Sequence, residues 1–240
     1  MSGVAIVTGA ASGIGRASSR RLQEDGMTVI ALDLDVAAAA EVSPNALAMD
    51  VSDAAQVSEV MTEVLLRWPR IDVLVNNAGI TGSAQATTAH ETPVEEFDRV
   101  MAVNVRGPFL CSRAVLPSMI EAGRGHIITI ASAAGIVAFP GRCAYTTSKG
   151  AALQLARSMA VDYGRLGIRS NAICPGMVET PMTQWRLDQP DLRDRTESQI
   201  PMGRVASPEE IADVVSVLAS GRLGYANGAA LVIDGGWTAW

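Results

Sequence analysis

Histidine, cysteine and aromatic side chains are scarce in this 240-residue sequence, and each scarcity removes a class of function. The histidines are His90 and His126 alone, and neither has a second ligand-type residue at metal-binding spacing, so no metal site is expected. Cys111, Cys143 and Cys174 lie far apart and form no CxxC pair. An odd count without a secretion signal reads as free thiols in a reducing cytoplasm, not as a disulfide framework. Positive charge is also short. The formal net charge is −6, and no basic run could follow a phosphate backbone, which argues against nucleic acid as a partner. No apolar run approaches the length of a membrane span. The opening Met1–Thr8 lacks a basic n-region and turns into a glycine-rich loop, so it reads as a first strand and not as a signal peptide.

Small aliphatic residues fill the space the aromatics leave: the chain is 48% hydrophobic but 4% aromatic, as suits helices packed tightly on a sheet. Its length allows one large domain with a buried central sheet. Short apolar runs predict strands at Val4–Thr8, Thr28–Asp33, Ala46–Met49, Val73–Asn76, His126–Ala131, Ser170–Cys174 and Ala230–Ile233. Their nearly continuous β-branched character suits parallel strands buried on both faces. Helical periodicity predicts helices near Gly13–Asp25, Asp53–Trp68, Pro93–Glu121, Tyr145–Tyr163 and Pro208–Ser220. Thr92-Pro93-Val94-Glu95 and Ser207-Pro208-Glu209-Glu210 each offer a capping residue followed by a proline at the first helical position. This alternation gives an α/β fold: a single Rossmann-like, doubly wound parallel sheet of about seven strands with helices on both faces, spanning residues 1–240. The polar stretch from Met177 to Met202, with Pro181, Pro190 and Pro201, reads as one long irregular segment, and hence as a substrate lid.

Two groups of residues carry chemistry. The first is Thr8-Gly9-Ala10-Ala11-Ser12-Gly13-Ile14-Gly15, between the first strand and the first helix. Its glycines let the backbone approach a pyrophosphate, which the helix N-terminus favours. Asp33 ends the second strand, where a carboxylate can accept hydrogen bonds from an adenosine ribose. A 2′-phosphate there would bring roughly −1.5 to −2 more charge. Each unit pair at about 4 Å costs around 4 kcal/mol at an effective dielectric near 20. No basic residue compensates beside Ser12 or Leu34, so NAD is expected over NADP; the alternative is a solvent-facing strand-end aspartate. Asp50-Val51 follows the third strand, where adenine would lie. Asn76-Asn77-Ala78-Gly79 follows the fourth, either as a close approach to the cofactor with an asparagine tying strands, or as a turn only.

The second group centres on Tyr145-Thr146-Thr147-Ser148-Lys149, which puts a phenol and an ammonium four residues apart on one helix face. A nearby positive charge favours phenolate, as a general base working near neutral pH requires. Ser132, just after the fifth strand, could hydrogen-bond the same substrate oxygen. Asn104, a poor helix former inside a predicted helix, could hold a water in a proton path or bridge backbone groups.

In combination these residues resemble the short-chain dehydrogenase/reductase family over essentially the whole chain. The matching elements are Thr8–Gly15, Asp33, Asn76–Gly79, Asn104, Ser132, Tyr145 with Lys149, Pro175-Gly176, Thr180 and Asp234-Gly235-Gly236. The resemblance implies an NAD-dependent oxidoreductase moving a hydride between a nicotinamide and a secondary alcohol or ketone. Tyr145 would be the acid/base, Ser132 would hold the substrate oxygen, and Lys149 would lower the tyrosine pKa and bind the nicotinamide ribose. Asn104 would support a water relay, and Val178 and Thr180 would fix the carboxamide. It also implies a homotetramer.

Three stretches, Ile80–Gly82, Ala138–Arg142 and Pro181–Pro190, are similar to a subgroup that oxidises 2-(R)-hydroxypropyl-coenzyme M, a secondary alcohol beside a thioether on a chain ending in a sulfonate. That similarity implies Arg142 and Arg186 on the sulfonate and Met177 and Met182 along the thioether. From spacing alone, the preferred reading pairs Arg142 with a surface acid and leaves Arg186 in solvent. Other expected substrates are a sugar acid, a cyclic diol or a 3-oxoacyl thioester. A silent NAD-binding sensor is the rival outside the enzymes, though such proteins lack the tyrosine or lysine kept here. Trp237 and Trp240 either reach a neighbouring subunit's active site or pack on the chain's own lid.

Overall fold

The computed structural model describes residues 3–239; Met1, Ser2 and Trp240 lie outside the described residues. Seven strands, β1 (Val4–Thr8), β2 (Thr28–Asp33), β3 (Ala46–Ala48), β4 (Val73–Asn76), β5 (Gly125–Ile130), β6 (Ile168–Pro175) and β7 (Ala230–Ile233), form one sheet. Their order is β3-β2-β1-β4-β5-β6-β7 and every neighbouring pair is parallel. The helices are α1 (Gly13–Glu24), α2 (Val36–Ala40), α3 (Ala54–Arg67), α4 (Val94–Met101), α5 (Gly107–Ala122), α6 (Cys143–Tyr163), α7 (Pro181–Leu187), α8 (Pro190–Glu197) and α9 (Pro208–Ala219).

Alternation along the strands divides the core into two layers. Ala5, Val7, Val29, Val75 and Ile128 face Leu22 of α1 and Ile211, Val215 and Leu218 of α9. Ile6, Ile30, Leu74 and Ile127 face Val57, Met61 and Val64 of α3 and Val115 and Met119 of α5. Each large aliphatic side chain buried this way contributes about 1.5–3 kcal/mol. Both sides of every central strand are therefore apolar, which is why the strands read as unbroken hydrophobic runs.

Three expectations are corrected. The helix expected over Pro93–Glu121 is interrupted: a π-helical turn at Ala102–Arg106 separates α4 from α5 and carries Asn104. Thr92 does not cap it, because its hydroxyl donates to the Thr88 carbonyl (2.8 Å) and accepts from the Thr87 N–H (3.0 Å); Pro93 takes the cap position. The segment from Met177 to Met202 is not irregular, since α7 and α8 occupy most of it. Pro181 and Pro190 begin these helices, where a missing N–H costs no hydrogen bond. The Ser207 cap forms as expected, with the Ser207 and Glu210 side chains satisfying each other's backbone N–H groups, at 3.3 and 2.9 Å.

His126 is buried between β6 and α9. Its Nδ1 faces the Leu218 carbonyl at 3.0 Å and its Nε2 faces the Asn171 amide at 2.9 Å. Burial pushes its pKa down to about 3, which keeps the ring neutral. Among the described residues there is no group of three or more His, Cys, Asp or Glu placed to hold a metal, and no helix long and apolar enough to cross a membrane.

Candidate active site

Strand order reverses between β1 and β4, and the loops leaving their carboxyl ends open a cleft of about 560 Å³. Gly9 turns the chain at φ +65°, a left-handed conformation that side chains disfavour. A Cβ on Gly15 would lie 2.0 Å from the Gly9 carbonyl oxygen, so only glycine lets α1 start this close to the loop. Gly15 thus shapes the cradle from behind, while Gly9, Ser12, Gly13 and Ile14 line it. The Asp33 carboxylate also lines the cleft, accepting from the Ala11 N–H at 2.9 Å and the Asp35 N–H at 3.0 Å. Arg16, one residue after the glycine turn, pairs with Glu41 at 2.8 Å.

Asp50 accepts from the Ser52 N–H and hydroxyl at 2.8 and 2.7 Å, which orders the turn that places Val51 on the cleft wall. Asn77 realises the tying role: its amide donates to the Thr8 and Gly9 carbonyls at 2.9 and 3.0 Å, fastening the loop after β4 to the glycine turn. Ala78, Gly79, Pro175, Gly176, Val178 and Thr180 complete the lining expected from sequence.

Ser132, Tyr145 and Lys149 converge on the same cleft. Ser132 follows β5 in extended backbone, its oxygen accepts from the Ala134 N–H at 3.1 Å, and its hydroxyl also faces the Tyr145 phenol. Tyr145 and Lys149 stand one turn apart on α6. The ammonium donates to the Ile130 carbonyl at 2.8 Å and lies 5.8 Å from the centre of the tyrosine ring. Burial pushes Lys149, the only lysine in the chain, down to about 8.

The four-residue spacing predicts a lowered Tyr145 phenol, whereas its net shift in the fold is upward. Burial raises the phenol above its ordinary value, and the opposing influences are a hydrogen bond with Ser132 and the positive charge of Arg142.

Asn104 takes its bridging alternative. Its side chain accepts from the Ile80 N–H and donates to the Ile80 carbonyl, both at 2.8 Å, and donates to the Ser148 hydroxyl at 2.9 Å. This buried asparagine ties the loop after β4 to the residue preceding Lys149.

A second cavity of about 330 Å³ adjoins the cleft and shares Ser132, Tyr145, Pro175, Gly176 and Met182 with it. Arg142, Met177 and Arg186 line it as well. The Arg142 guanidinium has no ion pair or hydrogen bond among the described residues, so the surface-acid reading of it fails. Arg186 is half-buried, with its Nε donating to the Thr196 hydroxyl at 2.9 Å. Trp237 stacks on Phe139 with ring centres 4.8 Å apart and packs near Leu187, Ile200 and Val205, against the chain's own lid. Sequence reasoning missed Thr81, Thr196 and Gln199 on this wall. The latter two lie on or just beyond α8, in the stretch expected to be irregular, and no local pattern marks them.

A family model described as enoyl-(acyl carrier protein) reductase matches residues 9–238. The chain is 53% identical to the 2-(R)-hydroxypropyl-CoM dehydrogenase of Xanthobacter autotrophicus, with the whole of both chains covered. A 2-(S)-hydroxypropyl-CoM dehydrogenase of the same organism is 38% identical over 98% of this chain and 96% of its own. Among solved structures, a 3-ketoacyl-(acyl-carrier-protein) reductase from Brucella melitensis, complexed with NADH, superposes with a TM-score of 0.90. It is 32% identical, and 98% of each chain is covered.

Proposed function

The chain belongs to the short-chain dehydrogenase/reductase family, and from that premise we propose that it oxidises the secondary alcohol of a small sulfonate-bearing substrate, 2-(R)-hydroxypropyl-CoM or a close analogue, with NAD. The observation that carries this reading is the Tyr145 phenol standing on the wall common to two cavities, between Ser132 and Arg142. One cavity has the chemistry of a dinucleotide cradle. Its glycine turn leaves no room for side chains at Gly9 and Gly15, and the Asp33 carboxylate lines the cavity with no salt bridge of its own among the described residues. When bound there, the nicotinamide supplies the hydride acceptor for alcohol oxidation and the donor for ketone reduction.

The protein's own groups handle the proton and the orientation. Tyr145, as phenolate, takes the hydroxyl proton while the carbinol hydride departs, and gives a proton back when the reaction runs toward alcohol. Ser132 donates to the oxygen as its charge develops, with its acceptor side already held by Ala134. Lys149 keeps a positive charge in the cleft and a donor for ribose hydroxyls. Asn104 holds the Ile80 segment against α6, so a proton path through this residue would use its main chain and not its amide. Val178 and Thr180 line the same cleft, which supports a role for them in setting the nicotinamide face.

Arg142 and Arg186 both line the second cavity, and this supports a sulfonate there, because guanidinium forks suit planar or multi-oxygen anions. Met177 and Met182 offer polarizable surface to a thioether. Residues 177–202, carrying α7 and α8, act as the lid that brings Met182 and Arg186 over the substrate. The three free cysteines suit a reducing cytoplasm. Apolar side chains exposed at Phe109 of α5 and Val161 of α6 suit burial in a homotetramer.

The test is steady-state oxidation of both enantiomers of 2-hydroxypropyl-CoM and a sulfonate-free analogue, each with NAD and with NADP. The R-sulfonate with NAD is expected to give the highest kcat/KM, at least a hundredfold above the same substrate with NADP. Equal use of the two cofactors would remove the role given to Asp33. Indifference to the sulfonate would return the substrate to another short alcohol.

A further inference from the structure

We infer that Thr196 is a positioning residue for anion recognition, acting through Arg186; the inference rests on the sulfonate reading above and sharpens it. Thr196 is almost fully buried on α8, on the wall of the substrate cavity, and its hydroxyl has two hydrogen bonds. It donates to the Leu192 carbonyl one turn back at 2.7 Å and accepts from the Arg186 Nε at 2.9 Å. The first bond fixes the hydroxyl proton, so the oxygen presents a lone pair to α7 and to nothing else. The second fixes one edge of the guanidinium plane. The two Nη groups remain, and no carboxylate pairs with them among the described residues.

A neutral acceptor at this point has a consequence that a carboxylate would not. It locks the guanidinium's orientation without cancelling its charge, so the full attraction for a substrate anion survives. Acids of the lid are engaged elsewhere: Glu179 and Glu197 both pair with Arg193, at 2.6 and 3.4 Å, and Asp188 accepts from the Gln184 amide. The Thr196 hydroxyl also joins α7 to α8, so the orientation of Arg186 depends on both lid helices being seated.

The experiment compares Thr196→Val and Thr196→Ser with wild type, using kcat/KM for 2-(R)-hydroxypropyl-CoM divided by kcat/KM for its sulfonate-free analogue. Valine keeps the shape and removes the acceptor, and serine keeps the acceptor. The ratio is expected to fall about tenfold in Thr196→Val, through KM for the sulfonate with kcat little changed, and to stay near wild type in Thr196→Ser. A ratio in Thr196→Val within twofold of wild type overturns the inference, even if the melting temperature falls, because the threonine is then only a packing residue. Serine behaving like valine overturns it too. A wild-type enzyme that ignores the sulfonate refutes the substrate reading itself, and the role of Thr196 goes with it.

Discussion

Replacing Tyr145 by phenylalanine is expected to lower kcat for alcohol oxidation by roughly 10²–10⁴-fold while NADH still binds and the melting temperature hardly moves. The ring stays in place on α6, so packing is kept, and only the group that accepts the hydroxyl proton is lost. Ser132 cannot replace it, since a serine hydroxyl is far too weak a base near neutral pH. Lys149 cannot either, because its ammonium is held on the Ile130 carbonyl at 2.8 Å. The wild-type enzyme should also become faster at oxidation as pH rises, because phenolate is the active form and burial raises the pKa of the phenol. Ketone reduction needs the protonated phenol and should show the opposite slope. Steady-state rates across pH, with NADH binding followed by tryptophan quenching, check both points. A loss of less than tenfold in Tyr145→Phe would mean that another group moves the proton.

Arg142→Ala is expected to reduce kcat/KM for an anionic substrate by roughly 10–100-fold relative to the sulfonate-free analogue. That is the range for losing a charge-assisted hydrogen bond in a partly desolvated site. The guanidinium has no internal partner to be orphaned by the change, so the fold should be unaffected. A second effect separates this residue from Arg186. Arg142 opposes the upward push of burial on Tyr145, so its removal should move the pH profile of oxidation to higher pH for both substrates. Arg186→Ala should change the substrate ratio without moving the profile. Equal ratios in wild type and Arg142→Ala would leave the arginine without a role in recognition.

The fold was legible because its strands are buried on both faces and bounded by glycine, proline or acidic residues. β1, β2, β4 and β7 fall at their expected ends. The cofactor side was legible for a related reason. Close approach of backbone to backbone leaves only glycine as a solution, and Gly9 and Gly15 therefore announce themselves. α2 was not legible: five residues, nearly all alanine, have no periodicity, and the helix is started by the Asp35 side chain accepting from the Ala38 N–H at 3.0 Å. The π turn at Asn104 was hidden too, because apolar spacing continues through it from α4 into α5.

The substrate wall was the least readable part. Arg142 and Arg186 lie 44 positions apart, and nothing in their spacing indicates that they border one cavity. Prolines 181, 190 and 201 suggested an irregular lid, yet two of them begin helices, so the same residue type marked a boundary and not a break. Thr196 and Gln199 became visible only when those helices were placed. The tyrosine environment depends on burial as well as spacing, so the four-residue step from Tyr145 to Lys149 alone did not reveal that the phenol is pushed upward.

The measurement that tests the central claim most directly follows a label. The enzyme would be given 2-(R)-hydroxypropyl-CoM deuterated at the carbinol carbon, with NAD, and the reduced cofactor analysed by NMR and mass spectrometry. A direct hydride transfer steered by this site predicts one deuterium per turnover at nicotinamide C4, on a single face of the ring, with the ketone as co-product. Deuterium released to water, or no turnover of the labelled alcohol, would contradict it.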